Sequence, residues 1–201
     1  MKTILLHGLG QNAHDWEKVT SLIHDMEVDC PNIFATTESG FSYSEIMHSC
    51  EARFAEEREP LRICGLSLGA VFALDYTIRH SSHVTSLILI GCQYKVPSLL
   101  IDLQNILFRC MPDKVFQSTG LSKSNAIELA HSMRSLDFSE KLHEISCPVT
   151  VICGEKDRAN KKAAKKLNSL LPQSELIIIP GVGHEVNKYA PEAIADILNR
   201  E

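Results

Sequence analysis

No apolar run in this chain approaches the ~18 residues that a membrane-crossing helix needs, which argues against a membrane partner. Positive charge is not in excess either. Twenty Lys and Arg against 25 Asp and Glu give a formal net charge of −5 with the nine histidines neutral. The basic face that nucleic-acid binding requires is therefore missing. The opening stretch MKTILLHGLG ends its apolar run after four residues, too soon for a secretory signal. Cysteine is present in seven copies but without pattern: the number is odd, and neither a C-x-x-C pair nor a Cys/His metal spacing occurs. A disulfide framework and a metal centre are both disfavoured. Cys64, Cys147 and Cys153 sit in or beside strand-like runs, where a free thiol behaves as a small hydrophobe. Reduced, buried thiols in a cytoplasmic protein are expected.

The 201 residues are 44% hydrophobic, 22% charged and 6% aromatic, enough to fold as one domain over 1–201 with a substantial core. Apolar runs at Thr3–His7, Ile33–Thr36, Leu61–Gly65, Ser86–Ile90, Val149–Cys153 and Leu176–Ile179 are rich in Ile, Leu and Val without strict alternation. That is the pattern of strands covered on both faces. Helical spacing appears over Asp15–Met26, Tyr43–Glu57, Ser67–His80, Arg158–Leu171 and Pro191–Arg200. Repeated strand–helix–strand units predict an α/β fold, a mainly parallel six-stranded sheet with helices on both faces. Residues 92–146 carry no convincing strand but do show helical spacing, and are expected to form a small helical cap inserted between the fourth and fifth strands.

The strongest local signal is Gly65-Leu66-Ser67-Leu68-Gly69, placed between the run Leu61–Cys64 and the helical stretch from Ala70. A G-x-S-x-G at a strand-to-helix turn is a nucleophile elbow, because a sharp turn lifts the serine hydroxyl above the sheet and needs neighbours without side chains. Alone it has a second reading as a plain glycine-rich connection; chance supplies on the order of 0.07 such pentapeptides in a chain this long. A serine nucleophile also needs a base and a group that orients the base. His184, in Gly181-Val182-Gly183-His184-Glu185, directly follows the last apolar run. Asp157, in Gly154-Glu155-Lys156-Asp157, follows the fifth. Glu155 is the rival acid, and Asp157 has a second reading as N-cap of the helix from Arg158. The order Ser67, Asp157, His184 differs from that of chymotrypsin-like and subtilisin-like proteases.

An oxyanion needs two N–H donors. The Leu68 amide, after the nucleophile, and the Leu9 amide, in His7-Gly8-Leu9-Gly10-Gln11, are the candidates. His7 reads as a structural residue beneath that loop. Gln11 and Asn12 are alternatives for lining a pocket. Leu99, Leu103, Leu107 and Phe108 in the cap are candidates for substrate binding, or for packing alone.

Taken together, HGLGQNAHDW, GLSLG, GEKD and GVGHE resemble the α/β-hydrolase superfamily over nearly the whole chain, in the group that includes small esterases. The resemblance implies the triad and oxyanion roles above and no cofactor. It also implies departures: the first run would match the family's third strand, and Glu38-Ser39-Gly40-Phe41-Ser42 matches only faintly the family's D-x-P-G-x-G-x-S loop. Serine at the elbow disfavours epoxide-hydrolase and dehalogenase chemistry. The expected activity is hydrolysis of a small or medium carboxylic ester through an acyl-enzyme. The same triad on a thioester, amide or carbon–carbon bond, acyl transfer, or a non-catalytic ligand-binding protein of this fold are the alternatives.

Overall fold

Runs without alternation become strands buried from both sides. The computed structural model describes residues 1–35, 40–117 and 121–200. Its sheet comprises β1 (Lys2–Leu6), β2 (Glu27–Asp29), β3 (Leu61–Leu66), β4 (Val84–Ile90), β5 (Val149–Gly154) and β6 (Ser174–Ile179). The order is 2-1-3-4-5-6 and every pairing is parallel. Ile4, Leu6, Leu87, Leu89 and Val151 enter the core on one face, while Leu5, Ile88, Ile90 and Ile152 enter the core on the other. Side-chain alternation in a strand thus splits one apolar run between two cores. The first face is covered by α2 (Tyr43–Phe54), α3 (Leu68–Arg79) and α7 (Arg158–Leu170). The second is covered by α1 (Glu17–Thr20), α8 (Val186–Tyr189) and α9 (Pro191–Arg200).

Between β4 and β5 the chain forms α4 (Ser98–Cys110), α5 (Lys114–Gln117) and α6 (Lys123–Ser132), with α4 packed on α6 and α6 against α2. From β1 the chain goes to β2 on one side and then returns to β3 on the other. That reversal opens a crevice at the carboxyl ends of β1 and β3, where parallel sheets bind ligands.

Two expected elements are corrected. The second strand is Glu27–Asp29, paired with Lys2–Ile4, and not Ile33–Thr36. Ile33 and Phe34 are buried in a turn held by Asn32 Oδ1, which accepts the Phe34 N–H at 3.1 Å; their apolarity serves the core, and Thr36 lies outside the described residues, as do Glu38 and Ser39 of the faint loop motif. The helix expected to reach Met26 stops at Thr20 after a 3₁₀ turn over Ala13–Trp16. Thr20 and Ser21 hydroxyls donate to the Glu17 and Lys18 carbonyls at 3.1 and 2.9 Å, competing for the acceptors near the helix end.

Candidate active site

Ser67 directly follows β3 and stands at the N-cap position of α3, in a conformation that side chains rarely adopt, with φ 55° and ψ −112°. Such a residue costs roughly 1–3 kcal/mol and persists only where its surroundings over-determine it. Here they do. The Ser67 N–H donates to the Ile90 carbonyl of β4 at 2.8 Å. A methyl group on Gly65 would collide with the Gly69 carbonyl, and one on Gly69 with the Leu6 and His7 carbonyls. The two glycines therefore let β1, β3 and α3 converge beneath the serine. Leu68 is the first residue of α3, so the helix leaves its amide unpaired. The Leu9 amide likewise meets no protein acceptor among the described residues.

His184 Nδ1 lies 2.6 Å from Asp157 Oδ2. An ionised carboxylate only accepts hydrogen bonds, so the proton sits on Nδ1 and Nε2 is the free acceptor. The Asp157 side chain is 5% exposed and the His184 side chain 39% exposed, leaving the carboxylate shielded and the imidazole reachable. Burial pushes the Asp157 carboxyl up, but hydrogen bonds from His184 and Asn160 outweigh it and hold the group below the ordinary carboxylate range. Asp157 makes both contacts at once: Oδ2 takes His184 while Oδ1 caps α7 by accepting the Asn160 N–H at 3.2 Å. Glu155 has a different task, accepting the Gly181 N–H at 2.8 Å and so bracing the loop that carries His184.

Ser67 and His184 line one cavity of about 220 Å³ together with Leu9, Leu68, Gly91, Gln93 and Asn160. Its apolar wall is built by Val71, Val96, Ile101, Leu129 and Met133. The cap region contributes Ile101, Leu129 and Met133, and neither Leu107 nor Phe108 is among the lining residues. Leu107 is 57% exposed, and Phe108 packs edge-on against Phe116 with ring centres 5.4 Å apart. On α4 the buried positions Ile101 and Asn105 are one turn apart, which turns Leu107 outward. The side chains of Leu99 and Leu103 lie outside the described residues.

His7 is buried at 0% exposure. Its Nδ1–H donates to the Gly8 carbonyl at 3.0 Å and Nε2 accepts the Ile33 N–H at 3.2 Å. Both nitrogens are committed, so the ring supports the loop that bears Leu9. Gln11 is buried away from the cavity, and Asn12 caps the 3₁₀ turn.

Sequence reasoning missed Gly91, Gln93 and Asn160. Gly91 and Gln93 follow the carboxyl end of β4, a position that itself marks site residues in a parallel sheet. Asn160 stands three residues after Asp157, the spacing of a helix cap.

The sequence signature of the alpha/beta hydrolase family matches residues 3–197. A RutD protein of Escherichia coli O26:H11, named for carbamate hydrolysis, is 31% identical over 77 residues, 38% of this chain and 29% of its own length. The chain thus aligns with under a third of that relative. The RutD protein of Escherichia coli O103:H2 is 22% identical over 97% of this chain and 88% of its own length. Among solved structures, the enol-lactonase of Burkholderia xenovorans LB400 superposes with a TM-score of 0.85 at 13% identity, covering 98% of this chain and 89% of that one. An esterase from Exiguobacterium antarcticum gives 0.82 at 17% identity, covering 98% and 90%. These two likenesses speak to the fold.

Proposed function

The chain belongs to the alpha/beta hydrolase family, and from that premise we propose that it is a serine hydrolase of small carboxylic esters working through an acyl-enzyme. One observation carries this reading: a strained Ser67 opens onto the same cavity as a histidine whose Nδ1 is bound to a buried carboxylate.

Ser67 Oγ attacks the ester carbonyl carbon while His184 Nε2 takes its proton, and Asp157 stabilises the imidazolium without being protonated. The Leu9 and Leu68 amides bind the oxyanion. As the tetrahedral intermediate collapses, Nε2–H protonates the departing alcohol and the acyl group stays on Ser67. Water then attacks that acyl carbon, giving its proton to Nε2, and the acid leaves as Ser67 recovers its hydrogen. No step calls for a cofactor.

The cavity wall fits a short, apolar, uncharged acyl group, since none of its lining residues other than His184 carries an acidic or basic side chain. Its volume of about 220 Å³ is below the ~300–1,000 Å³ of common ligand pockets. The RutD relatives favour one second reading, a carbamate ester attacked in the same way. A reducing compartment suits seven cysteines that form no disulfide among the described residues, in keeping with a cytoplasmic location. Burial pushes Cys30 and Cys153 up to about 11 and Cys50 to about 12, so these thiols resist oxidation.

The test is fluorophosphonate labelling together with turnover of p-nitrophenyl esters of increasing acyl length and of p-nitrophenyl carbamates. Wild type should label and prefer short acyl chains, and Ser67→Ala should lose labelling and at least ~10³-fold in kcat. Labelling that persists in Ser67→Ala removes the assignment, and turnover confined to carbamates selects the second reading.

A further inference from the structure

A chain of side-chain amides runs from Asp157 to the cavity wall. Asn160 Nδ2 donates to both carboxylate oxygens, at 3.0 Å to Oδ1 and 2.9 Å to Oδ2. Asn160 Oδ1 in turn accepts from Gln93 Nε2 at 2.6 Å, reaching across from the loop after β4. The direction of both amides follows from one charge. Because ionised Asp157 only accepts, Asn160 must turn its NH₂ toward it, which aims its carbonyl at Gln93 and demands a donor there. Flipping either amide sets acceptor against acceptor or donor against donor. Asn160 Nδ2 also lies 3.1 Å from His184 Nδ1; two donors tolerate that closeness because both aim at Asp157 Oδ2.

The carboxylate is thereby held from three sides. Oδ1 accepts the Asn160 N–H and Nδ2–H, and Oδ2 accepts Asn160 Nδ2–H and His184 Nδ1–H. Rotating the carboxylate about its Cβ–Cγ bond breaks most of these together. Without the Asn160 side chain, Oδ2 keeps only His184 among the described residues, and the plane that aims the imidazole loses its second anchor. Charge-assisted bonds of this kind are about twice as strong as neutral ones.

We propose that Asn160 is a positioning residue for the hydrolysis, fixing the Asp157 carboxylate so that His184 keeps Nε2 aimed at Ser67, and that Gln93 locks the Asn160 amide in the productive orientation. This rests on the serine-hydrolase reading. Asn160 acts through Asp157, and Gln93 through Asn160.

The experiment compares Asn160→Ala, Asn160→Asp, Gln93→Leu and the double variant Gln93→Leu/Asn160→Ala. Steady-state turnover of p-nitrophenyl acetate is read beside the low-field proton resonance of His184 Nδ1–H. Alanine retains the backbone N–H that is capped by Asp157, so the start of α7 survives; aspartate is an isosteric second variant with a carboxylate turned toward Asp157. We expect Asn160→Ala to lower kcat roughly ten- to a hundredfold, the value of a hydrogen bond to a charged group, with KM within about threefold. Asn160→Asp should lose more, and in both the resonance should move or broaden. Gln93→Leu should cost only severalfold, and the double variant should be no worse than Asn160→Ala, as for residues acting in series. A kcat within twofold of wild type in Asn160→Ala with an unmoved resonance overturns the proposal, as does an additive double variant. If wild type neither labels with fluorophosphonate nor turns over esters, the hydrolase reading has failed, and the resonance still decides whether Asn160 holds the pair.

Discussion

Gly91 supplies no chemistry, yet the placement of the proposed base, His184, depends on it. It sits at φ +59°, and a methyl group there would lie 2.9 Å from His184 Cε1 and 3.1 Å from Nδ1. Those distances are closer than a Cβ tolerates against a ring that has no spare room, since Nδ1 is already tied to Asp157. Gly91→Ala therefore carries two penalties, a left-handed backbone for an L residue and displacement of the imidazole. The backbone part should cost roughly 1–3 kcal/mol of stability. The displacement should cost more in rate than in stability, about 10²-fold in kcat for a shift near 1 Å. Thermal melts and steady-state kinetics on one preparation separate the two; a kcat within threefold of wild type would show that the ring has slack. His7 makes the complementary point. The sequence places a second histidine at a strand end, but only its two committed nitrogens distinguish a support from a base.

At the scale of elements, the loop after β1 and helix α8 meet on a buried amide pair. Gln11 Nε2 donates to Glu185 Oε1 at 3.2 Å and to Asn187 Oδ1 at 3.3 Å, and Asn187 Nδ2 donates to Gln11 Oε1 at 3.2 Å and to the Asp15 carbonyl at 3.1 Å. Lys188 adds ion pairs to Asp15 and Glu185 at 3.0 and 2.7 Å. The segment offering the Leu9 amide is thus fastened to the segment carrying His184, across most of the chain's length. Gln11→Leu strands the Asn187 amide and should cost about 1–3 kcal/mol, with a kcat loss near tenfold as the two segments loosen. Gln11→Leu/Asn187→Leu removes both partners, so its cost in urea unfolding should fall short of the sum of the singles. Additive costs would mean that the two amides act separately. This tie was not legible beforehand, because the sequence left Gln11 only as an alternative for a pocket lining. Helix ends were similarly hidden: the spacing of Leu22, Ile23 and Met26 suits a helix, but all three pack against the core from a non-helical segment.

For the whole molecule, five of the six strands and the strand-end positions of Ser67, Asp157 and His184 could be read in advance, since each follows from an apolar run and the turn after it; the short second strand and the order of strands in the sheet could not. The cavity wall could not. Whether Ile101 or Leu107 faces the site depends on how α4 is rotated against α6, and the Gln93–Asn160 contact joins residues 67 apart. Stability against acid is also a property of the assembled fold, and here its sign can be worked out. Burial pushes the His7 ring below its ordinary value of 6.5, so the folded chain keeps it neutral where the unfolded chain takes up a proton. The unfolded state then binds more protons below about pH 6.5, and stability falls as pH drops from there toward the folded value. Asp157 acts lower: its depressed carboxyl contributes stability above its ordinary 3.8, lost as pH falls through the folded value. Between pH 6.5 and 5 the His7 contribution should appear as a loss of up to about 1.4 kcal/mol per pH unit, one proton's worth. His7→Gln keeps an amide to pair with Gly8 or Ile33 but not both, so it should lower stability by about 1–3 kcal/mol at pH 7.5. Its urea-unfolding free energy should then fall less steeply than that of wild type over pH 6.5 to 5. Equal slopes in the two proteins would place the titrating group elsewhere and leave His7 without a part in the acid response.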